Sequence, residues 1–475
     1  MRLFLYGLLA AGVGIFSGCA LRPSGEDEER DRASKEGKAY EEKSEPPALS
    51  EKAGPDEYLA HAFLANAALE TRYWEWRAAL ERIPQDSSFP NVAVSFSYMF
   101  SPEQMKAWDR TTLGVSNDPM SNIPFPTKLA TAGRAALENA RASGERFQEA
   151  KFLLQKDVLW TYYDLALLGE TIRVQTETLS ILRQAVSQAE VRVRTGAAGQ
   201  QDLLRAQTEV DLAENTLRTQ ESRAKSLMAK MNALIGRPAD QPHPLPAALP
   251  SARPLPVPDA ALLQAGAERS PELGAIARDI EGRKEALSLA QQAYIPDFGL
   301  SASITGSISK TIGGMAVLPF RLEAIHAGIE EARANLKAAE AARVQYGRDL
   351  AASFTLNLTV LRNDERQIDL LEKVVLPRAR QALEITQTAY AAGRVSFLDL
   401  LEVQRTLLDV RLTIAEVKTE REKAVAAIET WSAVDVEVMA GGRMPLRAAR
   451  MSSSRSMPQA QSGSGSNGSS MGTMK

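Results

Sequence analysis

The chain has 475 residues and a formal net charge of −3, so it presents no basic field that would attract nucleic acid. Aromatic residues make up only 6% of the chain, and the 44% hydrophobic content is rich in Ala and Leu, which is typical of long helices. The 3 histidines are scattered and lack the spacing of metal ligands. These properties argue against nucleic-acid binding and against a histidine-based metal site.

The chain begins with the features of a bacterial secretory signal. Arg2 precedes the apolar stretch Leu3–Phe16, which falls short of the roughly 20 apolar residues that a stable membrane helix needs. Small residues then lead to Cys19, the single cysteine, in a pattern that resembles a lipobox. We interpret residues 1–18 as a signal peptide and Cys19 as the lipidated, palmitate-bearing first residue of an outer-membrane lipoprotein. The alternative is a chance cysteine in an ordinary signal peptide.

Two segments are poor in large apolar side chains. Residues 19–55 carry runs of acids and prolines, and such a segment cannot bury enough surface to offset its ordering entropy. We therefore expect a lipidated flexible tether there, and a disordered Ser/Gly/Met-containing tail at 437–475. Six of the 13 methionines lie in that tail. Their thioethers either bind soft copper or silver ions or are incidental to a disordered segment.

Two segments that begin with proline alternate between apolar residues and small or polar ones. Such alternation predicts a strand with one face in an apolar medium and one face in water, here at 91–98 and 297–304. A weaker strand is predicted after each, near 113–115 and 312–318. The residues expected on the lipid-facing side are Val92, Val94, Phe96, Tyr98, Phe298, Leu300, Ala302 and Ile304.

Long stretches with few glycines and prolines follow the strands. They span 127–195 and 320–392 and predict helices of roughly 100 Å each, at about 1.5 Å per residue. Pro377 should kink or interrupt the second helix, because it lacks the N–H that an i→i−4 hydrogen bond needs.

A doubled motif follows the long helices. G-x5-D-L-L-x2-Q occurs at Gly196–Gln207 and again at Gly393–Gln404. Beyond both copies apolar residues recur every seven positions, with Arg421 breaking the pattern in the second copy. Heptads kept in register across two copies predict helices packed as coiled coils.

The duplication divides the chain into two structural repeats, 56–250 and 251–436, each with helices and two strands. The predicted fold is mainly α with a small β part: long antiparallel coiled-coil helices form an α-barrel, which a transmembrane β-barrel continues. Four strands cannot close a barrel, and open sheet edges are not tolerated in lipid. Three copies of the chain would supply twelve strands in a closed ring.

With these features the sequence resembles the TolC-like outer-membrane efflux proteins over about residues 56–436. The resemblance rests on the doubled hairpin motif, the Pro-led strands, the helix lengths and the lipobox. It implies a homotrimeric passive channel in the cell outer membrane, with a periplasmic extension that meets a periplasmic adaptor and an inner-membrane pump. It implies no enzyme activity, and no cofactor beyond the covalent lipid on Cys19.

The resemblance also implies functional positions at the periplasmic tip. In a trimer, Asp399 and Glu402 would form rings of negative charge that attract cations, since they lie one helical turn apart. The alternative is a solvated capping acid at Asp399 and a plain surface arginine at Arg205, which otherwise pairs with an acid of a neighbouring copy. The predicted gate is Asp202, Arg205, Asp399 and Glu402, and the predicted adaptor-contact tips are Gly196, Gly199, Gly393 and Ser396.

Two other classes of protein are alternatives to the channel. A lipid-anchored envelope scaffold of coiled coils without a pore explains Cys19 and the heptads but leaves the alternating strands without a purpose. A periplasmic hydrolase would need a nucleophile elbow, a metal cluster or a Gly-rich phosphate loop, and the sequence contains none of these patterns. The sequence does not specify the transported substrate.

Overall fold

The computed structural model describes residues 20–50, 53–100, 105–117, 122–196, 199–246, 248–249, 251–253 and 258–433. The predicted signal peptide, Cys19 and the predicted tail lie outside these ranges. The strands are β1 Val92–Tyr98, β2 Thr111–Asn117, β3 Asp297–Thr305 and β4 Ser309–Val317. The α-helices are α1 Glu26–Glu41, α2 Pro55–Ala65, α3 Ala67–Ser87, α4 Pro126–Arg194, α5 Gln200–Leu234, α6 Asp259–Arg269, α7 Pro271–Gln291, α8 Leu322–Leu370, α9 Leu376–Ala391 and α10 Phe397–Ser432.

Helix α4 is the element against which most of the others pack. It runs for 69 residues, about 100 Å at 1.5 Å per residue, and contacts α3, α5, α7 and α10. Pro126 opens it in the first turn, where the missing N–H has no partner to lose. The predicted helix over 127–195 is confirmed to within one residue at each end. Among the described residues, no helix combines the length and the apolar character needed to cross a membrane.

The second long helix is interrupted where the sequence predicted. Helix α8 ends at Leu370, a π-helical turn follows at Leu371–Val375, and α9 begins at Leu376 with Pro377 in its first turn. A wider turn accommodates the proline ring, because it moves the carbonyl that the ring would otherwise meet. The prediction for Pro377 is therefore confirmed.

Helix α1 corrects the prediction of a flexible tether over 19–55. Its four leading acids, Glu26–Glu29, lie in the first turn, where carboxylates favour the positive end of a helix. Gly37 lets α1 approach α3 so closely that a Cβ at this position would stand 1.9 Å from the ring of Tyr73. The acids that suggested disorder therefore start a helix that packs tightly.

A buried ion pair holds α1 on α4. Lys151 is only 1% exposed, its ammonium donates to the carboxylate of Glu36, and it lies 4.8 Å from the ring centroid of Phe147. Burial lowers the pKa of Lys151, although the charge of Glu36 opposes that shift. The two partners are 115 positions apart, so composition within the segment could not reveal them.

Arg421, which breaks the predicted heptad row, lies in a buried cluster of charges. Its guanidinium donates to the carboxylates of Glu365, at 3.1 Å, and Glu422, and to the carbonyl oxygen of Arg253 at 2.7 Å. The apolar members of that row are buried as predicted at Leu400, Ile414 and Ile428. The helices therefore pack through ion pairs around Arg421, whereas the rest of this row packs through apolar side chains.

Arg253 carries the Pro-rich link between the two repeats into the same cluster. Its Nε donates to Glu422 at 2.9 Å, its Nη1 donates to Glu429 at 2.8 Å, and its backbone N–H donates to Glu422 at 3.3 Å. Burial alone would lower the pKa of Arg253, but the charges of Glu429, Tyr163 and Glu422 raise it overall. The side chain and the backbone of Arg253 therefore both hold the link on α10.

The four strands form one sheet in the order β1-β2-β3-β4, and each neighbouring pair is antiparallel. Each predicted repeat supplies two adjacent strands, and the β2–β3 pairing, with Val115 opposite Ala302, joins the repeats. The predicted strands are confirmed, with the weaker pair extending over 111–117 and 309–317. Within the described residues the outer edges of β1 and β4 have no strand partner.

A carboxyl pair lies where α7 packs on α4. The side chain of Glu149 in α4 forms a hydrogen bond with the side chain of Glu272, which lies in the first turn of α7. Burial, followed by the hydrogen bond and the charge of Glu272, raises the pKa of Glu149 from 4.5 to about 8. Two charged carboxylates at this position repel each other, so the neutral form of Glu149 is favoured.

We expect Arg253→Met to lower the free energy of unfolding by about 3–5 kcal/mol, because the buried Glu429 would lose the charge of Arg253 and the buried Glu422 would be left with that of Arg421. Denaturant unfolding of the purified protein measures the loss. The matched control is Arg82→Met at an exposed position of α3, which should change the same quantity by less than about 0.5 kcal/mol. Equal stability of the two variants would show that the cluster does not hold the link.

The carboxyl pair predicts a pH dependence of stability. Because the folded pKa of Glu149 is raised, its contribution to the stability of the fold is fully present below pH 4.5 and is lost as the pH rises towards about 8, since the unfolded chain gives up this proton first. We expect the difference in melting temperature between the unmodified protein and Glu149→Gln to change steadily across this window. Glu281→Gln, at an exposed position of α7, is the control and should follow the unmodified protein at every pH. A constant offset for Glu149→Gln would contradict the raised pKa of Glu149.

Candidate functional site

One face of the sheet is apolar and exposed. The register places all eight predicted lipid-facing residues on this face, together with Leu113, Val115 and Ile312. Val94 is 78% exposed, Phe96 69% and Ile312 89%. Each such side chain left in water forgoes roughly 1.5–3 kcal/mol of the free energy that its burial would supply. A continuous apolar patch of this kind marks a surface that meets a membrane or a partner.

Aromatic residues flank this face at both ends of the strands, a feature that the sequence interpretation missed. Phe100 and Trp108 are exposed beyond the far ends of β1 and β2, and Phe125, Tyr294 and Phe320 are exposed at the end nearest the helices. Aromatic girdles of this kind lie at the two interfaces of membrane strands. A search for aromatics beside each predicted strand end would have found them.

The opposite face carries small and hydroxyl side chains. Ser95, Gly114, Ser303 and Thr311 form one complete row across the four strands. The hydroxyls of Thr112 and Thr305 bond to each other at 2.9 Å in a neighbouring row. This face suits contact with water, so the sheet separates an apolar side from a hydrated one.

The base of the sheet is tied to the long helix α4, and the start of the described chain is tied to the end of α3. Lys128 of α4 donates to Asp297 and to the carbonyl oxygen of Ile295, both at 2.7 Å. The backbone N–H of Leu21 donates to the carbonyl oxygen of Ser87, the last residue of α3, at 3.1 Å. Cys19 lies outside the described residues, but the chain two positions later is fixed close to where β1 begins.

The hairpin tips lie at the other end of the long helices. Gly196 and Gly393 adopt φ values of 70° and 71°, a left-handed conformation that favours glycine and ends each helix. Gly199 and Ser396 occupy the N-cap positions of α5 and α10. All four predicted tip residues therefore turn the chain, two by ending helices and two by starting them.

The two tips are joined within the chain by Arg192 and Tyr390. Arg192 donates to the carbonyl oxygen of Tyr390 at 3.1 Å, and its guanidinium carbon lies 4.7 Å from the ring centroid. Below this contact, apolar residues of both hairpins form one cluster that includes Leu182, Ala206 and Leu401. The sequence interpretation missed this pair, because neither residue belongs to the repeated motif.

Asp399 caps α10, as the alternative interpretation of the sequence predicted. Its carboxylate accepts hydrogen bonds from the Ser396 N–H at 2.8 Å and from the Ser396 hydroxyl at 2.7 Å, and the Ser396 hydroxyl in turn accepts from the Asp399 N–H at 3.2 Å. These bonds hold the pKa of the exposed Asp399 carboxyl below its usual range. The capping box keeps a charged carboxylate at the tip and leaves it facing solvent.

The other predicted gate residues are solvent-accessible. Glu402 and Arg205 are exposed and Asp202 is half-buried. Within the described residues of one chain, no ion pair joins Arg205 to Asp399 or Glu402. The seam between the hairpins instead pairs Arg405 with Glu209. The predicted contact of Arg205 with a neighbouring copy stays a prediction.

A cavity of about 180 Å³ opens between α4, α5 and α10, on the side of the tips that faces the sheet. Leu182, Glu209 and Gln404 are among its lining residues. The Gln404 oxygen is buried and has no hydrogen-bond partner among the described atoms. In the part of the chain that the structure describes, no group of three or more His, Cys, Asp or Glu side chains is arranged to hold a metal ion.

The chain matches one family of known proteins over most of its length. The family model described as outer membrane efflux protein covers residues 61–237 and 262–433. The chain is 23% identical to the cobalt-zinc-cadmium resistance protein CzcC of Cupriavidus metallidurans over 289 residues, which are 58% of this chain and 66% of that protein. It is 23% identical to the probable outer membrane lipoprotein SilC of Salmonella typhimurium over 320 residues, which are 63% of this chain and 68% of that protein. The chain thus spans about two thirds of the length of these relatives.

A solved structure shares the fold. The outer membrane protein VceC of Vibrio cholerae superimposes with a TM-score of 0.67 at 18% identity, covering 80% of this chain and 95% of that one.

Proposed function

Because the chain belongs to the outer membrane efflux protein family, we propose that it is one protomer of a trimeric, passive export conduit. Membership confirms the resemblance inferred from the sequence and the outer-membrane location that goes with it. The observation that carries the proposal is the sheet, which has one exposed apolar face, one hydroxyl-rich face and two open edges.

The sheet alone cannot stand in a membrane. Each unpaired N–H or C=O group in hydrocarbon costs several kcal/mol, and β1 and β4 each present a row of them. Joining β4 of one copy to β1 of the next satisfies both edges at once, and a ring closes without a free edge. Three copies give twelve strands, a number within the range of bacterial outer-membrane barrels.

The face assignment follows from the side chains. The apolar face carries Val94, Phe96 and Ile312 and has aromatic residues at both ends, so it faces lipid. The face with Ser95 and Ser303 then lines a water-filled lumen. Helix α4 and the α8–α9 helix continue this lumen into the periplasm as a helical tube.

The hairpin tips form the periplasmic entrance in this proposal. Threefold repetition of Asp399 and Glu402 places rings of negative charge there, which favour cations. Arg192 and Tyr390 hold the two hairpins of each protomer together at the same level. Gly196, Gly199, Gly393 and Ser396 meet the periplasmic adaptor, and an inner-membrane pump supplies the energy. The conduit performs no chemistry of its own.

The cargo is a small molecule, either a drug or a metal ion. The name of CzcC refers to cobalt, zinc and cadmium, which supports metal cations as one class of cargo. The acidic entrance suits the same class. Binding of soft metal ions by the methionines of the tail, outside the described residues, stays a prediction.

The membrane anchor is a covalent lipid on Cys19. The bond from Leu21 to Ser87 supports this proposal, because it fixes the chain at the end of α3, five residues before β1 begins. Acyl chains on Cys19 then reach the near leaflet without a tether. The SilC relative is itself described as a probable lipoprotein.

Planar-bilayer recording tests the conduit. We expect discrete channels that prefer cations, and we expect Asp399→Asn combined with Glu402→Gln to reduce that preference, because the charge rings are gone. Glu416→Gln is the control, since Glu416 is exposed on α10 two heptads beyond Glu402. If the double variant forms channels with unchanged selectivity, the assignment of Asp399 and Glu402 to the gate is wrong, while the conduit itself still stands. Absence of channels from every preparation would support the scaffold without a pore.

Mass analysis of the mature protein tests the anchor. We expect an N-terminal peptide that begins at Cys19 and carries acyl chains, and we expect Cys19→Ser to abolish both the acylation and that cleavage. Ser17→Ala keeps a small residue before the cysteine and serves as the control, with acylation retained. An unmodified Cys19 in the mature protein would refute the lipid anchor.

A further inference from the structure

The apolar face of the sheet carries a single charged side chain among the described strand residues, and this is Lys310. The row furthest from the helices that still crosses all four strands is Phe96–Leu113–Ile304–Lys310. Lys310 is exposed, and within the described part of the chain its ammonium takes part in no ion pair. An otherwise apolar face therefore ends in an unpaired positive charge.

Lys310 lies close to one end of its strand. It is the second of the 9 residues of β4, a strand that is about 30 Å long at roughly 3.4 Å per residue. With the tilt of about 40° that strands adopt in a membrane barrel, β4 spans about the 25 Å of the apolar band. A lysine on the lipid face is strongly destabilising at the midplane of a bilayer and close to neutral at its surface. Lys310 thus lies at the level of the headgroups, on the side of the membrane away from the long helices.

The turn that leads into β4 is held against the segment that precedes β2. Asp109 accepts hydrogen bonds from the Ser307 N–H at 2.8 Å and from the Ser307 hydroxyl. The Gly306 N–H donates to the carbonyl oxygen of Thr111 at 3.0 Å. Gly306 approaches this segment so closely that a Cβ there would stand 2.3 Å from the Cα of Asp109. These contacts fix the start of β4 beside residues 106–110.

The same segment adds further positive charge and an aromatic side chain. Lys106 and Trp108 are both exposed, and Lys and Trp are side chains that anchor proteins at the headgroup level. Arg110 continues the hydrated face of β2, because its carbonyl oxygen accepts from the Met99 N–H at 2.8 Å. The described residues at this end of the sheet, 98–100, 105–111 and 304–310, thus carry three positive charges against the one negative charge of Asp109.

Closure of the ring does not neutralise Lys310. In the proposed trimer β4 pairs with β1 of the next copy, and the residues of β1 on the apolar face are Val92, Val94, Phe96 and Tyr98. None of these is an acid, whichever register the two strands adopt. The counter-charge for Lys310 must therefore come from outside the strands of the barrel.

Phosphate is the anionic group that lipids present at this level. An ammonium group can donate three hydrogen bonds to phosphate oxygens, and such charge-assisted bonds are stronger than neutral ones. We propose that Lys310, together with Lys106, binds the phosphate of a phosphorylated glycolipid in the outer leaflet. The acyl chains of that lipid lie along the apolar face, where Ile312 is 89% exposed. This inference rests on the proposed trimeric barrel, since it needs the apolar face to be the outer one.

An alternative role for Lys310 is to protect an edge strand. Lysines on edge strands discourage pairing with the wrong strand before assembly. That role concerns assembly alone, so it predicts no preference for a phosphorylated lipid over a phosphate-free one. Lipid binding by assembled trimers therefore separates the two roles.

Native mass spectrometry of the full-length protein in mild detergent counts the bound lipid. The probe is a synthetic acylated glucosamine disaccharide with two phosphates, and the matched probe is the same lipid without phosphate. We expect unmodified trimers to bind up to three copies of the phosphorylated probe, and to bind it at least about fivefold more tightly than the phosphate-free probe. Inorganic phosphate should not displace the lipid, because it lacks the acyl chains that lie on the apolar face.

Variants locate the binding. Lys310→Gln should weaken binding of the phosphorylated probe by about fivefold, and addition of Lys106→Gln should weaken it by about 25-fold in total. Lys310→Arg keeps the charge and should retain the binding. Lys225→Gln, at an exposed position of α5, is the control and should bind as the unmodified protein does.

The outcomes separate this inference from the proposed function. Equal binding by trimers of Lys310→Gln and of the unmodified protein overturns the site and leaves the conduit intact. Equal affinity of unmodified trimers for the two lipid probes does the same, and it decides the matter even if Lys310→Gln fails to assemble. Displacement of the lipid by inorganic phosphate would overturn the lipid as the source of the phosphate. Monomers alone in every preparation would contradict the proposed trimer instead.

Discussion

The hydrogen-bonding needs of the strand backbone govern this protein. A four-stranded sheet with an exposed apolar face belongs in an apolar medium, yet in that medium the edge groups of β1 and β4 have no water to bond with. One chain cannot meet both demands, whereas a closed ring of identical chains meets them together. Under the proposed trimer, the position of the long helices, the place of the lipid and the level of the tips all follow from this closure.

The helical body must hold the sheet in one position, and buried charges contribute to this. Helices rich in Ala and Leu with a seven-residue repeat can slide by one heptad at little loss of apolar contact. The Lys151–Glu36 pair and the clamp of Arg253 on Glu422 and Glu429 are satisfied in one register only. A buried charge left unpaired is strongly destabilising, so these pairs oppose sliding.

Charge is distributed unevenly along the molecule. The tips carry Asp399 and Glu402 in solvent together with Arg192, which is engaged with Tyr390. The hydrated face of the sheet carries hydroxyls and glycines over its middle rows.

Features that depend on local periodicity were predictable from the sequence. Alternation along 91–98 and 297–304 is a property of each strand, the heptads are a property of each helix, and Pro377 acts on its own turn, so all three were predicted correctly. Contacts between remote residues were not predictable. The acids of α1 looked solvated because Lys151 is far away in the chain, and Arg421 looked like an irregularity because Arg253 reaches it from the link.

The same division applies to the candidate site. Local spacing along the sequence was enough to predict which strand residues share a face, which glycines turn the chain and that Asp399 caps a helix. Each of these depends on residues only a few positions apart. Three features could be read only from the folded chain: the strand order that joins the two repeats, the bond between Arg192 and Tyr390, and the bond of Leu21 to the end of α3. Each of these depends on segments separated by many tens of residues, and their meeting is set by the packing of the whole chain.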